Sequence, residues 1–141
     1  MQPDYLDAAE RHWEDAQCLL AHNRLANADH LIGFSAECAL KAVMLGLQIL
    51  RIGSRGAPQD PQHRVHIDRL WDEFVGLAEG PYGARYTEIM AGTSNPFTDW
   101  DVAQRYAHRS QIAPTAVERH RRGCALTRKV LETALLDGVL P

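Results

Sequence analysis

The stretch DWDVAQRYAHRS, residues 99–110, gathers Arg105, Tyr106, His108 and Arg109 behind a tryptophan and two acids. A guanidinium grips phosphate through paired N–H donors and an imidazole titrates near neutrality, so these residue types can hold and cleave a phosphodiester. If the segment is helical, positions 105, 108 and 109 share a face and present two guanidiniums and one imidazole together. The competing reading is structural: Arg105 pairs with Asp99 or Asp101, while Tyr106 packs its ring and its hydroxyl finds a carbonyl. Binding of a phosphate without chemistry stands between the two.

A second constellation is Glu37, Lys41 and His66. Glu37 and Lys41 are spaced i, i+4 with the acid first, the orientation that favours a helix ion pair, which on an exposed helix contributes about 0.2–0.5 kcal/mol. Here the pair sits in the most apolar part of the chain, so it must surface through a gap or acquire further partners. With His66 near the mouth of an interhelical groove it would supply a carboxylate, an ammonium and an imidazole for acid and base work. As a purely internal ion pair it would fix the register of the fold instead.

Other candidates are weaker. His63 and His66 have HxxH spacing, but a metal needs further ligands and helical geometry turns the nearby Asp68 away, so no metal or other cofactor is expected. ERHRRG, residues 118–123, is a cationic run that is either a solvated face or, joined to Arg105 and Arg109, a basic wall for nucleotide or RNA. Phosphate-cradling glycine loops and zinc-finger spacings are not found in the sequence.

The elements that must position these groups are helices. Leu6, Ala9, Trp13, Ala16 and Leu20 repeat at three and four over residues 4–22, with Asp4 as a natural N-cap. Residues 27–50 are apolar almost all round, which predicts a central helix covered on several sides. A Gly- and Pro-containing loop over 52–64 precedes a third helix over 66–78, which GPYG at 80–83 breaks. A shorter helix follows from residue 84, then a loop over 93–100 in which Asn95 precedes Pro96. A long last helix runs from Pro114 to about Asp137. The expected fold is an all-α, up-and-down bundle of about five helices, with the first two as an antiparallel hairpin.

The 141 residues suit one domain spanning 1–141, and a hydrophobic content of 45% against 23% charged residues excludes disordered and fibrous classes. The longest apolar run, CALKAVMLGLQIL, is too short for a membrane span and contains Lys41. With no secretory leader pattern at the N-terminus, a cytoplasmic location is expected. Cys18, Cys38 and Cys124, isolated in helical segments, read as small core residues. The net charge of −3 hides an acidic first segment and a basic last one, which can meet inside the fold, across a dimer or on nucleic acid.

Several fragments in succession resemble the HEPN domain family of small prokaryotic helical domains, over nearly the whole chain. NADHLIGFSAECALKAVMLGL resembles the family's second helix, with Glu37, Leu40 and Lys41 at its acid and LK positions. HIDRLWDEF resembles the start of the third helix, and DWDVAQRY the aromatic and RY element before the last. The resemblance implies a homodimeric helical bundle, often partnered with a minimal nucleotidyltransferase, that acts as a nucleotide-binding or interaction module. In toxin and defence members it implies a metal-independent endoribonuclease built on Arg, four to six residues, then His. Arg105 and His108 are separated by only two residues, a departure from that pattern. The leading expectation is therefore a non-catalytic binding module with Glu37, Lys41, His66, Tyr106 and Arg109 at its ligand. The runner-up is a ribonuclease acting through Arg105 and His108.

Overall fold

The computed structural model describes residues 1–77 and 83–140. Its helices are α1 (Tyr5–Ala21), α2 (Leu25–Gly46), α3 (Ile67–Gly76), α4 (Ala84–Thr87) and α5 (Pro114–Leu136), with three short 3-10 turns at Pro61–His63, Val102–Tyr106 and Arg109–Gln111. Among the described residues there is no strand, so the fold is all-α. The break expected at GPYG falls mostly outside the described residues.

α1 begins where its sequence dictates, because Asp4 is extended and its carboxylate accepts from the Asp7 N–H at 3.0 Å. α2 is the axis of the molecule and packs along both α1 and α5. Every residue of it from Ser35 to Met44 is buried, and Ile32 and Gly33 are buried as well. α1 and α5 thus cover most of its apolar surface. α2 also stops four residues before its expected end: Gln48 turns to φ 61°, and the N–H groups of Ile49 and Leu50 fold back to the Met44 carbonyl.

The loop from Thr93 to Trp100 is clamped between α2 and α5 by two glycines. A Cβ on Gly33 would stand 2.1 Å from Cε2 of Trp100, and one on Gly123 would stand 2.4 Å from Cγ of Pro96. Only glycine admits these approaches. Trp100 and Phe97 are consequently as buried as the α2 core, and Trp71 of α3 packs against Phe97 with ring centres 5.9 Å apart.

Of the three cysteines, Cys38 and Cys124 are core residues and Cys18 is exposed. Burial pushes the Cys38 thiol up to about 12 and the Cys124 thiol to about 11, so both are inert thiols. The acidic and basic segments do meet inside the fold: Arg128 of α5 bonds Glu10 of α1 at 3.0 Å and lies 5.0 Å from the ring centre of Trp13. No helix among the described residues is long and apolar enough to cross a membrane.

Candidate functional site

Residues 99–112 do not form one helix. The 3-10 turn Val102–Tyr106 ends at an extended Ala107, His108 is also extended, and a second turn follows at Arg109–Gln111. Arg105, His108 and Arg109 therefore do not share a helical face. His108 caps its own turn, with Nδ1 2.8 Å from the Ser110 hydroxyl and 3.3 Å from the Ser110 N–H.

The expected partners of Arg105 are occupied elsewhere. Asp99 is bonded by Arg119 and His120, while Asp101 accepts from the Ala103 N–H at 2.7 Å and caps the first turn. Arg105 lies instead over the Tyr106 ring, 4.8 Å from its centre, and Tyr106 is 79% exposed rather than packed. Arg24, Arg105 and Arg109 form no ion pair with an acid among the described residues.

Arg109 and His108 face a cavity of about 460 Å³ whose opposite wall is the turn between α1 and α2, with Arg24, Asn23 and Asn27. None of the residues lining it is acidic. The chain reverses here through Asn23, at φ 54°, and Arg24 occupies the N-cap position of α2 without a side-chain hydrogen bond to the helix. The wall thus combines two guanidiniums, an imidazole and two amides, a set suited to oxyanions.

A larger groove of about 800 Å³ lies between the 93–96 loop and the start of α5, but its cations are already engaged. Arg119 pairs with Asp99, and Arg122, with Arg121, bonds Glu118 at 2.9 Å each. Those two bonds hold the Glu118 carboxyl down to about 2. Each arginine of residues 118–123 is therefore held by an acid, Arg119 by Asp99 and Arg121 and Arg122 by the single carboxylate of Glu118, and the run does not extend Arg105 and Arg109 into a basic wall.

Glu37, Lys41 and His66 do come together. Lys41 Nζ donates to Glu37 Oε1 at 2.7 Å and to the Val65 carbonyl at 3.0 Å, and His66 Nδ1 lies 3.0 Å from the other Glu37 oxygen. Both members of the ion pair are buried, whereas the His66 side chain is 44% exposed. The bond to Glu37 raises the His66 pKa above its ordinary value, against the opposing effect of burial. His63 turns away to Glu73 of α3 at 2.6 Å, so the two histidines of the HxxH spacing serve different carboxylates.

A third polar centre escaped the sequence reading. His120 of α5 is buried between Asp29 of α2 at 2.7 Å and Asp99 at 2.9 Å, one carboxylate on each ring nitrogen. Ionised carboxylates only accept, so both nitrogens must donate and the ring is an imidazolium. Burial opposes that charge, yet the bonds to Asp29 and Asp99 outweigh it and hold the pKa above the usual range. Asp29 also takes Gln104 Nε2 at 2.9 Å, and its carbonyl takes Trp100 Nε1 at 3.1 Å. This network pins residues 99–104 to the bundle and thereby places the 105–112 segment.

No family model matches the chain, and no curated protein and no solved structure matches it.

Proposed function

We propose that the protein is a binding module of HEPN-like type for a phosphate-bearing small molecule, a nucleotide in the first instance. The observation that carries this reading is the 460 Å³ cavity, in which Arg24 and Arg109, both without acid partners, meet His108 and no carboxylate. Tyr106, exposed one residue before the lining begins and capped by Arg105, offers a face on which a base can stack. His108 enters as an anion-binding group with its imidazole tied to Ser110, whereas Arg105 lies over Tyr106 and is not among the groups lining the cavity.

The test is calorimetric titration with ATP, ADP and inorganic phosphate at low and moderate salt. ATP should bind at low salt and weaken as salt rises. Arg24→Ala and Arg109→Ala should each weaken it roughly 10- to 100-fold, the equivalent of about 1.5–3 kcal/mol for a charge-assisted hydrogen bond. Arg122→Ala, on the other groove, should leave it unchanged. Absence of binding at low salt would overturn the reading. The resemblance adds a nucleotidyltransferase as partner class and a second copy as assembly; sedimentation of the chain alone and mixed with such an enzyme tests both.

A further inference from the structure

Three histidines surround one side chain away from the Arg24 cavity. The rings of His12 on α1, His30 on α2 and His66 at the head of α3 lie 5.7, 4.7 and 6.3 Å, centre to centre, from that of Phe34. Trp100 closes the cluster, stacked on His30 at 5.7 Å and tilted to His66 at 6.3 Å. His12, His30 and Phe34 are half-buried and His66 is exposed, so the cluster reaches the surface at His66.

The imidazoles are not equivalent. Nδ1 of His12 and Nδ1 of His30 are buried without a hydrogen-bond partner. A proton there would be an unsatisfied buried donor, so each ring carries its hydrogen on Nε2 and stays neutral. Burial, helped by Arg11 at His12 and by Arg105 at His30, lowers both pKa values accordingly. His66 is the opposite case, with Nδ1–H held by Glu37 and a raised pKa. Opposed environments in one cluster are the arrangement by which proteins set a charged donor beside neutral ones. The charge of Glu37 is met by Lys41, Asp7 is paired with Arg11 and Asp29 with His120; Asp15, an acid near His12 that is unpaired among the described residues, opposes an incoming anion, while Arg105 near His30 favours it.

We propose that this cluster is a second site, for a small organic carboxylate with a flat apolar body: the body lies over Phe34 while its oxygens accept from Nε2–H of His12 and His30 and from His66. Phe34 supplies an aromatic floor that a bare phosphate would not use. The site shares no lining residue with the Arg24 cavity and stands whether or not that cavity binds nucleotide.

The experiment is a titration of the wild-type protein with sodium benzoate, followed by the imidazole Cε1–H signals in proton–carbon NMR at fixed pH and ionic strength. The signals of His12, His30 and His66 should move along one saturating curve in the millimolar range, while that of exposed His22 stays. His12→Gln should weaken the response about tenfold, and Phe34→Leu should do the same with the fold verified by circular dichroism. Equal movement of all the histidines, no movement at millimolar benzoate, or the same response to inorganic phosphate would each overturn the proposal.

Discussion

Replacing His120 by leucine removes an imidazolium from between two carboxylates and leaves Asp29 ionised where its side chain is 2% exposed. Asp99 loses less, being half-exposed and still bonded by Arg119. Gln104 remains to Asp29 as a neutral donor. Breaking a buried pair by removing one partner costs roughly 3–5 kcal/mol. With a urea dependence of about 2 kcal/mol per molar, that lowers the unfolding midpoint by roughly 1.5–2.5 M. Tryptophan fluorescence reports the transition, because Trp71 and Trp100 are buried in the same core. Adding Asp29→Asn removes the stranded charge, so the double variant should recover part of the loss, with a coupling above about 1 kcal/mol. The pH dependence has a fixed sign. The folded pKa of His120 lies above its ordinary 6.5, so the folded state keeps a proton that the unfolded chain has released. Its contribution is full below pH 6.5 and fades as pH rises through the folded value. The gap between wild type and His120→Leu should therefore narrow above neutrality. A midpoint shift under about 0.5 M, or a gap that widens with rising pH, would refute the imidazolium.

Lys41→Met leaves buried Glu37 with His66 as its remaining partner and should lower the melting temperature by roughly 10 °C in calorimetry; Glu37→Leu added to it should restore part of that. Gly33→Ala drives a methyl into Trp100 and should destabilise by about 1–3 kcal/mol in urea unfolding, with red-shifted tryptophan emission as the indole leaves the Asp29 carbonyl. Carbon NMR of the Glu118 carboxyl should give a midpoint near 2 that rises toward 4.5 in high salt or in Arg121→Ala, since its low value comes from exposed arginines.

Helix periodicity made most of the fold legible. The stripes of α1 and α5 and the all-round apolar pattern of α2 each correspond to a helix of the stated order, and Pro114 opens α5 at its first turn. Cys18 shows where residue type misled: it lies off the stripe Leu6, Ala9, Trp13, Ala16 and Leu20, and that spacing alone placed it outside. The end of α2 was harder, because Leu47, Ile49 and Leu50 continue the apolar pattern although the chain has already turned at Gln48. The Glu37–Lys41 pair was visible because it is local. The Asp29–His120–Asp99 centre was not, since its members come from an early helix, a loop and the last helix. A signal existed nonetheless: His120 falls between Val117 and Cys124 on the apolar stripe of α5, where a polar side chain must find partners.

The same competition for acids explains why the surface at residues 105–112 is left cationic. Asp99 and Asp101, beside Arg105 in sequence, look like its natural partners. Asp99 is drawn inward by the buried His120 and by Arg119, while Asp101 closes the turn in which Arg105 sits. Glu118, the acid of the basic segment, is divided between Arg121 and Arg122. Structure thus consumes the carboxylates that would have neutralised this end of the molecule. Arg105 is left to its neighbouring ring, and Arg24 and Arg109 face each other across a cavity without an acid.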